Sequence, residues 1–269
     1  MMRRISPRGF TLVEAVIVIA ITGIISVAVA IFIQTPVQGY FDAVRRAELT
    51  DIADTALRRL GRDLRLALPN SVRTTSTAAV TYLEFLQTSG GGRYRASTDN
   101  AGAGNILDFT QADSSFDVLG PAVATVVGEQ NLMVVYNQGV NGADAYRGDN
   151  TSAITGVVGN TVTIASKQFP FTSPTSRFQI ISYPVTYVCD AGAQTLTRYW
   201  NYPITAAQPT SFAAGTSSAL LAKNVSNCAF SYNATAISQR AGVVGTILQI
   251  SQSGESVNLY NEVHVSNVP

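Results

Sequence analysis

Residues 10–33, FTLVEAVIVIAITGIISVAVAIFI, decide how this chain is organised. The stretch has 24 residues and one charged side chain, Glu14. As an α-helix it would span roughly 36 Å, which exceeds the roughly 30 Å hydrocarbon core of a bilayer. The sequence therefore predicts one membrane-spanning helix close to its amino end.

The residues before this stretch set its orientation and its class. Residues 1–9 read MMRRISPRG, and their arginines favour a cytoplasmic amino end, with the chain after about residue 34 outside. A secretory signal peptide has a shorter apolar run followed by its cleavage site, whereas here the small residue Gly9 precedes the run. An uncleaved anchor remains an alternative, but it gives no reason for Glu14, since an ionisable residue within a bilayer costs about a few kcal/mol.

The junction Arg8-Gly9-Phe10-Thr11-Leu12-Val13-Glu14 resembles the processing motif of type IV prepilins and of type II secretion pseudopilins. The resemblance implies that a prepilin peptidase cuts between Gly9 and Phe10 and N-methylates Phe10. It also implies a role for Glu14 in subunit assembly, where its carboxylate would pair with the Phe10 amine of a neighbouring subunit. A contact within the chain is the alternative, because Phe10 and Glu14 lie four residues apart on one helical face. The implied partners are the prepilin peptidase, other minor and major pilins, and the inner-membrane pilus assembly platform.

A second helical stretch, residues 34–70, follows the membrane segment. Pro36 and Gly39 predict a kink or a melted turn at its start. An apolar stripe at three- and four-residue spacing then predicts an amphipathic helix that reaches residue 68 and ends at Pro69. Its interleaved acids and arginines favour a solvated face over a nucleic-acid patch. We expect the apolar face to pack on the protein's own β-sheet.

From residue 71 to residue 269 the apolar period changes to two, which is typical of strands. The chain thus divides into a leader (1–9), a transmembrane or filament-core helix (10–33), an amphipathic continuation (34–70) and a β-rich periplasmic domain (71–269). This order predicts an α+β fold with a long helix packed on an antiparallel sheet, a pilin-like lollipop. The predicted strands are 80–86, 106–109, 116–119, 131–136, 161–165, 178–188, 195–200, 225–232, 243–251 and 256–265, with long loops at 88–105 and 137–160.

The carboxyl-terminal half resembles a narrower group, the MshO family of minor pilin-like proteins of the mannose-sensitive haemagglutinin (MSHA) pilus. The resemblance is carried by residues 185–190, 196–202, 221–232 and 263–269, and residues 62–73 fit it as well. J-type secretion pseudopilins and PilW-type pilins are near relatives of this group. The resemblance implies a minor subunit near the tip of a filament.

The two cysteines, Cys189 and Cys228, form no CxxC motif, so a zinc or thioredoxin-type site is not supported. In an exported domain, which lies in an oxidising compartment, a disulfide is the natural interpretation. Two unrelated buried thiols are the alternative.

Catalytic and cofactor chemistry has little support in this sequence. His264 is the only histidine, which argues against a histidine metal site or a Ser-His-Asp triad, and the net charge of +1 argues against nucleic acid as a partner. Asp144, Asp149 and Asn150 could offer oxygens to calcium, but their spacing fits no EF-hand loop. Trp200 with its neighbouring tyrosines could form a sugar-binding platform, although cross-strand packing is the commoner role. We therefore predict no enzyme activity and no cofactor.

Three functional hypotheses follow. The leading one is a single-pass inner-membrane protein with a periplasmic domain, which is processed and built into an MSHA-type pilus near the tip as a minor subunit that helps initiate assembly. The first alternative is a minor J-type pseudopilin of a type II secretion system. The second is a tip adhesin that binds through the loops at 88–105 and 137–160.

Overall fold

The computed structural model describes residues 9–126, 129–238 and 241–269, without the side chains of Thr35 and of residues 235–238. Most of the predicted leader, residues 1–8, lies outside this range. The described elements are one long helix and a series of antiparallel strands, which confirms the α+β prediction. They are α1 (Leu12–Leu64), β1 (Arg73–Thr77), β2 (Val80–Arg93), β3 (Asp113–Asp117), β4 (Leu132–Val135), a 3₁₀ helix (Ala145–Arg147), β5 (Thr151–Val158), β6 (Thr161–Lys167), β7 (Arg177–Asp190), β8 (Thr195–Trp200), β9 (Ser217–Lys223), β10 (Val225–Ser238), β11 (Ala241–Gln252) and β12 (Glu255–Ser266).

The chain divides after Glu48 into two compact units. The first contains the apolar part of α1, and the second runs from Leu49 to Pro269 and contains the last turns of α1 and all the strands. Of the predicted kink or melted turn at Pro36 and Gly39, the melted turn is wrong, because α1 is helical through both residues. The kink stays a prediction. Proline removes one i→i−4 hydrogen bond, and the bonded turns on either side keep the helix continuous.

Helix α1 ends at Leu64, four residues before the predicted end. The backbone tightens there, since Leu66 N donates to Asp63 O (3.0 Å) and Ala67 N donates to Leu64 O (3.1 Å). Leu68 N then donates to Leu86 O at 2.8 Å, so the chain joins strand β2 before it reaches Pro69. A sheet hydrogen bond therefore ends the helix, and the proline lies beyond it.

The larger sheet is built around β7, a strand of 14 residues. One edge of β7 pairs with β2 from Arg177 to Asp190, while the other edge pairs first with β4 and then with β8. The strand order is β1-β2-β7-β4-β5-β6-β3, with β8 and β9 attached at the second half of β7. Phe178 and Ile180, near the start of β7, belong to one part of the core, and Val185, Tyr187 and Cys189, near its end, belong to another.

The smaller sheet has the order β10-β11-β12, with antiparallel pairing throughout. The amphipathic part of α1 packs in one core with both sheets, as its predicted stripe requires. This core contains Leu49, Ala53, Ala56, Leu57, Leu60 and Leu64 from α1, with Phe85 and Val185 from the larger sheet and Val244, Leu248 and Val263 from the smaller.

The strand predictions succeed where alternation is strong and fail where it is not. The strand at 195–200 has the predicted bounds, and β7 and β10–β12 lie where they were expected. Residues 106–109 form no strand, because the Asp108 side chain accepts a hydrogen bond from Thr110 N and makes a turn there. The predicted loop at 88–105 begins only after β2 ends at Arg93, and the predicted loop at 137–160 contains the 3₁₀ helix and β5. Strands β1 and β9 were not predicted.

Candidate functional site

The amino end of α1 carries the residues that the processing motif points to. Thr11 precedes the first helical residue, Leu12, and caps the helix: Glu14 N donates to Thr11 Oγ1 (3.3 Å), and Thr11 N donates to Glu14 Oε2 (3.2 Å). Thr11 Oγ1 also donates to the same carboxylate at 3.0 Å. This reciprocal arrangement is a capping box, and it orients the Glu14 carboxylate toward the start of the helix.

The Gly9–Phe10 junction lies just before the cap and is open. Phe10 is 79% exposed, and a Cβ built on Gly9 would meet no atom within 4 Å. Neither residue belongs to a helix or strand. No neighbour and no turn within the described residues requires a glycine at position 9. A requirement for glycine there would therefore come from recognition by another protein and not from the fold.

The surface of α1 between Leu12 and Ile33 is apolar and exposed. The helix is long enough and apolar enough to cross a membrane. The Thr22 hydroxyl donates to the carbonyls of Val18 and of Ile19, in the preceding turn of its own helix. Thr22 thus adds no unsatisfied polar group to a surface that suits lipid or other apolar helices.

Cys189 and Cys228 form a disulfide, with Cα atoms 6.3 Å apart. Cys189 lies near the end of β7 in the larger sheet, and Cys228 lies in β10 of the smaller sheet. Both side chains belong to the core that also holds the α1 stripe. The bond therefore fastens the two sheets to each other beside the helix.

A buried ionic network joins α1 to the larger sheet. Arg198 Nε lies 2.6 Å from Asp63 Oδ2, and Tyr187 OH donates to the same oxygen at 2.9 Å. Arg59 Nε lies 3.1 Å from Asp63 Oδ1. Asp63 and Arg198 are each 4% exposed. Burial, and then the Asp63 carboxylate, raise the pKa of Tyr187 well above its ordinary value, so the phenol stays protonated and donates.

Asp63→Ala is expected to cost about 3–5 kcal/mol of unfolding free energy, because it leaves the Arg198 guanidinium buried and unpaired. Urea unfolding of the full chain in detergent micelles measures it. Asp54→Ala is the matched control on the same helix, since it removes an exposed pair with Arg58 and should cost less than about 1 kcal/mol. Equal losses for the two variants would contradict a structural role for the buried pair.

A second network holds strand β2 to the chain after β8. Arg73 Nε lies 2.7 Å from Glu84 Oε2, and Tyr202 OH donates to Glu84 Oε1 at 2.9 Å. Burial raises the pKa of Glu84, and the bonds from Arg73 and Tyr202 offset part of that rise. Arg73 also donates to the carbonyls of Thr205 and Ala206, so the segment after β8 is held to the sheet.

Neither buried network was predicted from the sequence, although a signal existed for both. Asp63 lies three residues after Leu60, inside the apolar stripe, and Arg198 lies two residues after the core residue Leu196, on the same face of β8. A charge on each of two apolar faces indicates a buried pair. Glu84 had a similar signal, since it is surrounded by apolar residues of β2.

The other candidate sites are placed as follows. Tyr199 stacks on Phe212 with ring centroids 4.2 Å apart, and Tyr202 meets the edge of the same ring. The Trp200 ring instead lies against the Arg198 guanidinium, at 4.6 Å, so the three aromatic residues form no common platform.

The oxygen-rich stretch before β5 is used by its own loop. Asp144 Oδ1 accepts from Tyr146 N at 2.9 Å, and Asp149 Oδ2 accepts from Gly142 N at 2.9 Å. Asn150 Nδ2 donates to Val135 O at 3.1 Å. Among the described residues no group of three or more histidine, cysteine or acidic side chains could hold a metal ion. His264 is exposed on β12.

Comparison with known proteins agrees with the geometry at the amino end. Residues 6–30 match the model of the prokaryotic N-terminal methylation motif. No curated protein and no solved structure matches the chain. The match covers Gly9, Phe10, Glu14 and most of the exposed apolar surface, and it carries no information about the β-sheet domain. The motif indicates a type IV pilin-like or pseudopilin protein, a structural subunit that is processed by a prepilin peptidase and assembles with other pilins.

Proposed function

We propose that this protein is a minor pilin-like subunit that takes part in initiating and assembling an MSHA-type type IV pilus. The observation that carries the proposal is the methylation motif at residues 6–30, placed on an exposed apolar helix with a glutamate four residues after Phe10. The resemblance of the carboxyl-terminal half to the MshO family supports the choice of pilus.

Processing is the first step of the proposed function. A prepilin peptidase in the inner membrane cuts after Gly9 and methylates the new amine of Phe10. The open backbone at Gly9 and the exposure of Phe10 support access by an enzyme. The α1 helix holds the protein in the inner membrane, with the β-sheet domain in the periplasm, until the subunit leaves for the filament.

Assembly is the second step, and its chemistry centres on Glu14. The described donors to its carboxylate, Thr11 N and Thr11 Oγ1, are neutral, so the negative charge has no counter-ion among the described residues. A charge of this kind is costly in hydrocarbon. The positively charged amine of Phe10 on a neighbouring subunit supplies the missing counter-ion. The pair also fixes the axial offset between packed helices, because each charge has one position along its helix.

Glu14→Ala is the test of this function. We expect the variant to enter the membrane as well as the wild type, because it removes a charge from hydrocarbon, and to be largely missing from purified pili. Quantitative mass spectrometry of sheared filaments and of membranes measures both pools. Glu48→Ala, on the same helix near the end of the first unit, is the control for losing an acidic side chain. Normal incorporation of Glu14→Ala would overturn the proposed pairing.

A further inference from the structure

Strand β12 has an open edge. It pairs with β11 along its whole length, from Glu255 opposite Gln252 to Ser266 opposite Ala241. Within residues 9–126, 129–238 and 241–269, no second strand pairs with its other edge. A strand of 12 residues with one open edge presents a row of unpaired backbone donors and acceptors to any extended chain that can reach it.

A groove of about 450 Å³ lies between this strand and the last turns of α1. Asn261, Glu262 and Val263 form its strand side. The helix side is made by residues in the last turns of α1 and directly after its end, namely Thr55, Leu57, Arg58, Gly61, Arg62 and Arg65. The groove thus has one carboxylate, Glu262, on its strand side and a row of arginines on its helix side.

The arginines give the helix side of the groove a positive charge. Arg58 pairs with Asp54 at 2.6 Å and is therefore compensated. Arg62 and Arg65 are exposed and have no ion-pair partner in the described part of the chain. The groove therefore favours a ligand that brings carboxylates to the helix side.

Gly61 keeps the floor of the groove open. A glycine inside a helix is destabilising relative to alanine. Close packing does not require it here, because a Cβ on Gly61 would lie 3.5 Å from Val263 Cγ2 and 3.9 Å from Asn261 Nδ2, both ordinary contacts. A longer side chain at this position would extend into the space between helix and strand.

We propose that the groove receives an extended segment of another pilin-like subunit, which pairs with the open edge of β12 and places carboxylates against Arg62 and Arg65. Side chains alternate along a strand, so every second residue of the segment faces the helix and those residues are acidic. Strand β3 of a second copy, which has an aspartate at each end, does not fit, because Asp113 accepts from Asp108 N and Asp117 pairs with Arg95. The proposed occupant is therefore a segment of a different subunit and not β3 of a second copy. This inference deepens the proposed assembly function and rests on it.

A synthetic peptide tests the proposal directly. The probe is an acetylated and amidated nine-residue peptide in which glutamate alternates with valine and threonine, titrated into the full chain in detergent micelles at low salt. We expect binding that weakens with salt, together with slower hydrogen exchange at the β12 amides. A peptide with lysine in place of glutamate should not bind. N-methylation of alternate peptide amides should abolish binding in one register and spare it in the other, because a strand pairs through one edge.

Variants locate the site on the protein. Arg62→Glu with Arg65→Glu should weaken binding at least about tenfold, because attraction becomes repulsion. Arg93→Glu with Arg177→Glu makes the same charge change at an exposed cross-strand pair elsewhere and should leave binding unchanged. Gly61→Ala should keep binding, whereas Gly61→Gln should weaken it by filling the groove.

The outcomes separate this proposal from the proposed function. The proposed binding groove is contradicted if the acidic peptide does not bind, or if both double-arginine variants lose peptide binding equally. Self-association of the chain that is lost with Arg62→Glu and Arg65→Glu overturns the choice of a different subunit. If the groove fails while Glu14→Ala still blocks incorporation into pili, the assembly function stands without it.

Discussion

Gly9→Val is expected to leave nearly all of the protein as unprocessed precursor in the membrane. The substitution adds a branched side chain to the residue before the proposed cut, where the peptidase needs a small one. The fold gives no competing explanation, since a Cβ at Gly9 would meet no described atom within 4 Å. The mass of the amino-terminal peptide, beginning either at Met1 or at methylated Phe10, is the measurement.

Gly23→Val is the matched control for this prediction. Gly23 lies inside α1, and a Cβ there also meets nothing within 4 Å, so the same chemical change falls on an equally open position of the apolar segment. This variant should be cut and methylated as the wild type is. Normal processing of Gly9→Val would refute the assigned cleavage site, and failure of both variants would mean that bulk in the segment, not the junction, is what matters.

Loss of the disulfide is expected to cost roughly 4 kcal/mol of unfolding free energy. The two cysteines are 39 residues apart in sequence, and cross-linking a loop of about 40 residues removes that much entropy from the unfolded chain in the chain-entropy model. A typical domain has only about 5–15 kcal/mol of stability, so the reduced protein should melt much earlier and be digested faster by proteases.

Thermal melting with and without reductant measures this effect, and alanine at both positions provides the genetic counterpart. Reduced wild type and the Cys189→Ala, Cys228→Ala double variant should melt alike, because both lack the same constraint. Thiol labelling in denaturant supplies the independent check. Two reactive thiols per chain before reduction, or a melting temperature unaffected by reductant, would contradict the prediction.

The parts of the fold that could be predicted are those in which one physical signal acts alone. The α1 stripe and the alternation in β7, β8, β11 and β12 are set by the burial of apolar side chains, and these elements lie close to their predicted places. Strand β9 was missed because Ser217–Lys223 is a weakly alternating segment with mostly half-exposed or exposed side chains. Strand β5 was missed because Gly156 and the glycines and asparagines before it are typical of loops.

The candidate sites differ in whether their residues are close together in the sequence. The processing motif is contiguous, so Gly9, Phe10 and Glu14 could be named from the sequence, whereas the Asp63–Arg198 pair joins residues 135 apart that only the folded sheet brings together. The end of α1 belongs to this second class. It depends on the hydrogen bond between Leu68 N and Leu86 O, and local sequence favours a continuation to Pro69.

The capping box at the start of α1 does not depend on the leader. Its atoms belong to Thr11 and Glu14, which lie after the Gly9–Phe10 bond, so a cut there removes no hydrogen bond of the box. The new amine of Phe10 would arise beside the partial positive charge of the helix amino end, where the aligned peptide dipoles disfavour it. The cut therefore leaves the start of the helix as it was and adds a positive charge that a carboxylate from outside the chain would stabilise. The need for processing would thus prevent lateral pairing of helices until the peptidase has acted.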